Sequence, residues 1–251
     1  MIWLFAFILG TAVGSFLNVV VWRLKTKKSF VRGRSHCPHC GHTLTTFDLI
    51  PLVSYLLLRG HCRHCSASIS PSYFLIEVVV GFLFLLAVPG SLNGVLDWSN
   101  LLLNWFIISV LTIVFVFDLR YMLIPRLVVL PAFVLVLAAN LFLGLSVWSM
   151  VLGIVVSAGF FWLQYLLSHG RWIGGGDINL GLLMGVALGF PNALAALFLA
   201  YIVGAAVGVS LLATKRSTWH DELPFGTFLS AATIVVLLYG NKLVNWYLNL
   251  I

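Results

Sequence analysis

The chain consists of long, continuously apolar runs separated by short polar stretches. A run of about 20 apolar residues forms a helix that can cross the roughly 30 Å hydrocarbon core of a bilayer, whereas a barrel strand would place a polar residue at every second position. The pattern therefore predicts transmembrane helices. Eight segments fit, at residues 2–21, 73–88, 101–117, 127–143, 147–167, 178–190, 193–213 and 227–248.

Composition supports a membrane protein over a soluble domain. Hydrophobic residues make up 61% of the 251 residues and charged residues only 8%, with a mean hydropathy of +1.09. Soluble domains are about half apolar and about one quarter charged. We expect an all-α polytopic membrane protein, a bundle of about eight transmembrane helices. Its parts are a first transmembrane helix (1–22), a polar loop domain (23–72) and a transmembrane core (73–251).

The positions of the basic residues predict the orientation, because cytoplasmic loops retain Lys and Arg during insertion. If the N-terminus is outside, Lys242 is the one basic residue at an outer end, and the others face the cytoplasm. The net charge of +7 is then mainly an insertion signal with some attraction for anionic lipid, and nucleic-acid binding is not needed to explain it. The inner residues are Arg23, Lys25, Lys27, Lys28, Arg32, Arg34, Arg59, Arg63, Arg120, Arg126, Arg171, Lys215 and Arg216.

The polar loop contains all four cysteines, in two CxxC pairs. Cys37 and Cys40 form CPHC, Cys62 and Cys65 form CRHC, and 21 residues lie between the pairs. Two such pairs can surround one tetrahedral zinc ion with four thiolates at about 2.3 Å. Because a loop this short buries little core, the metal would supply much of its folding free energy and its role would be structural.

Two alternatives apply to this loop. Paired CxxC dithiols beside a membrane bundle would also suit a quinone-linked thiol oxidoreductase, but the charge pattern places the loop in the reducing cytoplasm, which favours zinc. A histidine could also replace a cysteine as a ligand. The histidines of the loop are His36, His39, His42, His61 and His64.

Three carboxylates lie near or within apolar segments. Glu77 is just inside the second segment, Asp118 follows the third and Asp177 precedes the sixth, all near the predicted cytoplasmic face. A charge near hydrocarbon costs a few kcal/mol, so it normally faces the bundle interior or a wet cavity. The remaining acidic residues are expected in solvated loops, and they are Asp48, Asp97, Asp221 and Glu222.

Glycines flank Asp177 on both sides. Gly181, Gly185 and Gly189 follow it at steps of four and share its helix face, where small residues let another helix approach closely. This spacing predicts that Asp177 points into the protein. The glycines at 174–176 permit a sharp turn or the close approach of an extended peptide.

Two aspartates at one membrane depth on different helices suggest an aspartic protease. Repulsion between Asp118 and Asp177 would keep one carboxyl protonated while the other activates a water. The alternative is structural, in which Asp118 pairs with Arg120 or Arg171 and Asp177 caps the sixth helix. Spacing alone leaves both interpretations open.

Several motifs together resemble the type IV prepilin peptidases, the bifunctional leader peptidases and N-methyltransferases of bacterial pilus and type II secretion systems. The resemblance covers nearly the whole chain. Its motifs are GSFLNVVVWRL from Gly14, SHCPHCGHTL from Ser35, IPLVSYLLLRGHCRHC from Ile50, Asp118 followed by IP at 124–125, GGGD ending at Asp177, and LPFGTFL from Leu223.

The resemblance implies a function and a site. Asp118 and Asp177 would be the catalytic pair, with Gly174 and Gly176 as the glycines of the GxGD motif. Substrates would be prepilins and pseudopilins, cut after the Gly that ends a short basic leader, at the cytoplasmic face of the inner membrane. The new N-terminal residue would then be methylated from S-adenosylmethionine. Because no Gly-rich nucleotide fingerprint occurs here, methyl transfer rests wholly on the resemblance.

Two departures from the family pattern concern charge. Family members commonly have an acidic residue where this chain has Arg126, and a lysine where it has Asn179. If positions 126 and 179 face one another, the paired loss of an anion and a cation preserves the local charge balance.

The methyl-transfer region is expected between the first two membrane helices and the polar loop, lined by Asn18, Arg23 and Glu77. An interhelical hydrogen bond from Asn18 is the structural alternative. For the whole chain, the alternatives are a peptidase without methyltransferase activity, the thiol oxidoreductase, and a scaffold or transporter in which the aspartates relay ions.

Overall fold

A computed structural model describes residues 1–29, 33–92, 94–214 and 223–249, and over these ranges all regular elements are helical. The residues Arg32, Lys215, Arg216, Asp221 and Glu222, which entered the sequence analysis, lie outside the described ranges. The helices are α1 (Ile2–Lys25), α2 (Val53–Leu57), α3 (Pro71–Leu86), α4 (Val95–Tyr121), α5 (Arg126–Phe142), α6 (Val147–Ser168), α7 (Gly175–Leu188), α8 (Asn192–Ala213) and α9 (Phe225–Leu248).

The all-helical membrane class is confirmed, and each of the eight predicted segments corresponds to one helix. In the part of the chain that the structure describes, α1, α4, α6, α8 and α9 are long and apolar enough to cross a membrane, while α3, α5 and α7 are shorter apolar helices. Hydropathy missed α2, because five residues are too few to show a period.

Helix α4 begins earlier than predicted, and this corrects the position of Asp97. This residue was expected in a solvated outer loop, but it lies in the first turn of α4. Its Oδ2 accepts a hydrogen bond from the N–H of Gly94 at 3.2 Å. The contact satisfies an N–H that precedes the helix, in a polar turn that a hydropathy window excludes.

Contacts along the chain define two compact units, Met1–Leu92 and Asn93–Ile251. In the first unit, α1 and α3 pack through small residues. A Cβ added at Gly10 would lie 2.8 Å from the Cα of Gly81, and one at Gly14 would lie 2.9 Å from the Cα of Glu77. Because these backbones approach so closely, the sequence requires glycine at both positions of α1.

In the second unit, α7 packs against α5, α6, α8 and α9. Its side chains Leu180, Leu183, Met184 and Val186 are completely buried. The Nδ2 of Asn140 on α5 donates to the carbonyl oxygen of Val186 at 2.8 Å. The helix that carries Asp177 is therefore fixed by the surrounding helices.

The predicted glycine face of α7 is confirmed, and the helix that approaches it is α6. A Cβ at Gly181 would lie 2.9 Å from the ring of Phe161, and one at Gly185 would lie 2.6 Å from the Cα of Ile154. The hydroxyl of Ser157 lies 2.7 Å from the carbonyl oxygen of Gly181. Gly189 packs on Ser149. The glycine face of α7 therefore packs directly against α6.

Candidate active site and cysteine cluster

Asp118 lies in the last turn of α4 and is 4% exposed. Its Oδ2 accepts two hydrogen bonds from Thr227, one from the backbone N–H at 2.7 Å and one from the hydroxyl at 3.1 Å. Thr227 is in the first turn of α9, where helix geometry leaves N–H groups without an intrahelical acceptor. The N-terminus of α9 therefore holds this carboxylate in place.

Asp177 lies in the first turn of α7, and Gly174 is the residue that precedes this helix. Gly174 lies beside its carboxylate, since a Cβ there would be 3.6 Å from Asp177 Oδ2. A carboxylate in the first turn is favourably placed at a helix N-terminus, as the structural alternative expected. Asp118 is close enough to Asp177 to interact with it electrostatically.

Ile124 joins the segments that carry the two aspartates. A Cβ at Gly176 would lie 2.9 Å from the Cβ of Ile124, and one at Gly226 would lie 3.0 Å from Ile124 Cδ1 and equally close to Asp118 Oδ2. Side chains at 176 or 226 would displace Ile124. The GGGD, IP and PFG segments thus meet at one place.

This arrangement corrects the role expected for the glycines at 174–176. Gly175 and Gly176 belong to α7 and do not form a turn, and neither has a positive φ. The space beside Gly176 is occupied by Ile124, and that beside Gly175 by Arg126. Gly174 is exposed, and a Cβ there would have Asp177 Oδ2, at 3.6 Å, as its nearest neighbour.

Arg126 and Asn179 both reach Gly175. The Nη2 of Arg126 lies 2.9 Å from the position of a Cβ at Gly175, and the Nδ2 of Asn179 donates to the Gly175 carbonyl oxygen at 3.2 Å. This geometry supports the hypothesis that positions 126 and 179 lie near one another.

An aromatic cluster lies beside the aspartates. The ring of Phe225 packs on Tyr201 at 4.9 Å and on Phe161 at 5.9 Å between centroids. The hydroxyl of Tyr201 pairs with the side-chain amide of Gln164 at 3.0 Å. Sequence reasoning missed Tyr201, which belongs to no local pattern. It included Thr227 in the LPFGTFL motif without a role, since its contact with Asp118 is made across helices.

The four cysteines form one cluster. Their sulfur atoms lie within 4.8 Å of one another, and the sulfurs of Cys37 and Cys65 are 3.8 Å apart. Four thiolates at about 2.3 Å from a tetrahedral ion are about 3.8 Å apart, so the donor set has the size of a zinc site. The backbone N–H of Cys40 contributes most to lowering the pKa of the Cys37 thiol to about 6.

Comparison with known proteins gives matches along nearly the whole chain. The Bacterial Peptidase A24 N-terminal domain matches residues 8–89, and the Type IV leader peptidase family matches residues 105–209. A prepilin leader peptidase/N-methyltransferase of Bacillus subtilis is 34% identical over 247 residues, covering 97% of each chain. The chain belongs to the type IV leader peptidase family.

Other leader peptidases are similarly close. The prepilin leader peptidase/N-methyltransferase of Aeromonas hydrophila is 31% identical and covers 98% of this chain and 95% of the relative. The prepilin leader peptidase/N-methyltransferase of Pseudomonas aeruginosa is 30% identical and covers 96% of this chain and 92% of the relative. No solved structure matches this chain.

The two CxxC segments of the polar loop have the same local fold. In the first, the N–H of Cys37 donates to the carbonyl oxygen of His42, and in the second, the N–H of Cys62 donates to Ala67, both at 2.9 Å. Residues with positive φ follow each pair, Gly41 at 70° and Ser66 at 55°. Each segment is therefore a knuckle that directs two sulfurs to one point.

Histidine ligation is not supported. Among the described residues, the group that could hold a metal consists of the four cysteines alone. His36 packs against Trp22, His61 Nδ1 lies 2.7 Å from the Arg59 carbonyl oxygen, and the rings of His42 and His64 stack at 3.6 Å.

Asp48 is not the solvated residue expected. Its side chain is 5% exposed and forms an ion pair with Arg63 Nε at 2.8 Å. Its other oxygen accepts hydrogen bonds from the hydroxyl and N–H of Thr45, and the Thr45 hydroxyl holds the pKa of Asp48 below its usual value. Because Arg63 belongs to the second knuckle, Asp48 connects the two halves of the loop.

The predicted methyl-transfer residues connect α1 and α3 to one another and to the polar loop. Asn18 Nδ2 donates to the Tyr73 carbonyl oxygen at 3.2 Å, which is the expected interhelical bond, and Glu77 Oε2 accepts from the N–H of Leu52 at 2.8 Å. Arg23 donates to the carbonyl oxygens of Ser29 and Gly33. Asn18 Oδ1 is buried and has no partner among the described residues.

The proximity of Arg126 and Asn179 predicts energetic coupling between them. Arg126→Asp and Asn179→Lys should each lower thermal stability, and the double variant should recover part of the loss, with a coupling free energy of about 0.5 kcal/mol or more. Thermal unfolding of the four proteins in detergent measures this coupling. Strictly additive effects would contradict the facing arrangement.

Proposed function

We propose that this protein removes the leader of prepilins and pseudopilins with Asp118 and Asp177 and then methylates the new N-terminal residue. The observation that carries the proposal is the position of the two carboxylates, on segments that meet around Ile124 and close enough to interact. Relatives that match over almost their whole length bear the name of this activity.

In the proposed reaction, the aspartate pair shares one proton. One carboxylate takes a proton from a water, whose oxygen attacks the carbonyl carbon of the leader's last Gly, while the protonated carboxyl donates to the carbonyl oxygen. The tetrahedral intermediate then breaks its C–N bond, and the pair returns a proton to the leaving amine. Asp118 Oδ2 accepts hydrogen bonds from Thr227, so we assign the contact with the water to Oδ1.

The proposed location is the cytoplasmic face of the bacterial inner membrane, with the N-terminus outside. The positive-inside rule supports this orientation. The substrate enters as a membrane-anchored helix, and its extended leader lies across the start of α7. Exposed Gly174 offers the backbone space for this approach, since Ile124 and Arg126 cover the next two glycines.

The proposed metal is structural zinc. The four sulfurs have the spacing of a tetrahedral site, and thiolates are the ligands that zinc prefers in closed sites. Bound there, zinc would link the two knuckles. Cys37, Cys40, Cys62 and Cys65 would be its ligands.

S-adenosylmethionine is the proposed methyl donor, and the first unit the proposed place of transfer. A cavity of about 480 Å³ lies beside the knuckles, within the range of small-molecule sites, and is lined in part by Thr45, Phe47, Ser54 and Arg63. Apart from the lining of this cavity, the buried Glu77 carboxylate and Asn18 Oδ1, which has no partner among the described residues, are acceptors that suit a cationic donor or the amine of the product.

Replacing either catalytic aspartate should abolish cleavage. We expect Asp118→Asn and Asp177→Asn each to lower the cleavage rate of a model prepilin by at least about 100-fold, because the pair loses its shared proton. Mass spectrometry of the product reports leader loss and the added methyl group together. Asp97→Asn, on the same helix as Asp118, is the control and should cleave normally.

Unchanged cleavage in either aspartate variant would reject the pair. A product that has lost its leader but lacks the added mass of one methyl group would show that the protein is a peptidase without methyltransferase activity. Full cleavage by the two variants together with ion transport by the parent would favour the transporter.

Zinc content tests the cysteine cluster. The purified protein should contain one zinc ion per chain, and Cys37→Ser or Cys62→Ser should reduce this content and lower the unfolding temperature. Elemental analysis gives the stoichiometry, and His39→Ala in the first knuckle is the control. A metal-free protein whose cysteines cycle with a quinone would instead support the oxidoreductase.

A further inference from the structure

An apolar groove runs along the second unit between α6 and α8. Leu194, Phe198 and Tyr201 line it from α8, at the spacing of one helix face. Val155, Gly159 and Leu163 line it from α6. Its volume is about 570 Å³. Two of the lining side chains are largely exposed, Phe198 at 61% and Val155 at 60%.

Gly159 lines the groove at a position with room for a side chain. A Cβ at this position would meet a single neighbour within 4 Å, Val155 Cγ1 at 4.0 Å. Gly153, two turns earlier on α6, is different, because a Cβ there would lie 2.5 Å from the carbonyl oxygen of Gly185. Packing between helices therefore explains Gly153, whereas Gly159 leaves a depression that is open to the surroundings of the bundle.

One end of the groove reaches the candidate catalytic site. Tyr201 lines the groove and packs on Phe225, and the next residue, Gly226, lies against the Asp118 carboxylate. Tyr201 also interacts electrostatically with Asp177. The Tyr201 end of the groove is therefore adjacent to the segments that carry the aspartates.

A polar pair marks this same end. Gln164 and the Tyr201 hydroxyl hydrogen-bond to one another between otherwise apolar helix faces. A peptide that is to be cut must leave its helical conformation, and inside a membrane its freed N–H and C=O groups need partners. A lipid chain has no such groups, so the pair fits an unwinding polypeptide better than lipid.

We infer that this groove holds the apolar helix of the substrate, with the scissile bond beyond the Tyr201 end. The inference rests on the proposed peptidase function. From Leu194 to Tyr201 the groove extends about 10 Å, two helical turns, at about 1.5 Å per residue. Helices in a membrane associate by close packing over small residues, and Gly159 provides that surface.

Filling the groove tests this inference. Gly159→Leu adds a side chain where the protein leaves room, so the fold should survive, while the substrate helix is excluded. For a model prepilin with its leader and apolar helix, kcat/KM should fall about 10-fold or more, mainly through KM. Cleavage of a short peptide that ends before the apolar helix should be unchanged. Ala206→Leu is the matched control, because Ala206 is exposed on α8 outside the groove lining.

Photo-crosslinking provides a second measurement that leaves Gly159 in place. With p-benzoylphenylalanine in place of Phe198, a prepilin blocked at its cleavage site should crosslink through its apolar segment. The same probe in place of Leu141, exposed on α5, should give little substrate adduct.

The outcomes separate the two proposals. Parent-level processing of the long substrate by the folded Gly159→Leu protein, or adducts with lipid alone, would overturn the groove assignment while leaving the peptidase intact. If the parent protein cleaves neither substrate, the proposed function itself fails. If the parent protein cleaves the long substrate but not the short peptide, the groove assignment is decided by the crosslinks and by comparing how Gly159→Leu and Ala206→Leu cleave the long substrate.

Discussion

The backbones of α6 and α7 touch one another, and the position of Asp177 depends on this contact. At Gly153 and Gly185 the distances are too short for any Cβ, so the two helices pack along a glycine seam. In a bilayer no hydrophobic effect drives helices together, and close packing with a few interhelical hydrogen bonds must do so instead. Ser157 and Asn140 provide such bonds to α7.

The seam makes the candidate site possible because α7 begins at the glycines that precede Asp177. Once α7 is fixed, its first turn meets the end of α4 and the start of α9 around Ile124. The start of α9 then supplies a backbone N–H to Asp118, and Asp177 lies in the first turn of α7. Both carboxylates are therefore at helix N-termini, which is a favourable place for negative charge in an apolar environment.

The sequence predicted the individual helices and the cysteine cluster better than the contacts between distant segments. Apolar runs long enough to cross a membrane predicted eight of the nine α-helices found in the described residues, and the short Cys spacings predicted the cluster, because both signals are local. The contact between Thr227 and Asp118 joins residues 109 positions apart, which no periodicity reveals. Gly175 and Gly176 were expected in a hinge, since composition does not tell a flexible glycine from one that accommodates a neighbouring side chain. Asp48 was expected in solvent, since its ion pair forms only when the two knuckles fold.

The central claim is that Asp118 and Asp177 act as one proton-sharing pair. The pH dependence of kcat/KM for prepilin cleavage tests it most directly. Two coupled carboxyls predict a bell-shaped profile, with activity lost in acid when both are protonated and lost at higher pH when both are ionised. A profile with a single ionisation, governed by one carboxyl, would contradict the account.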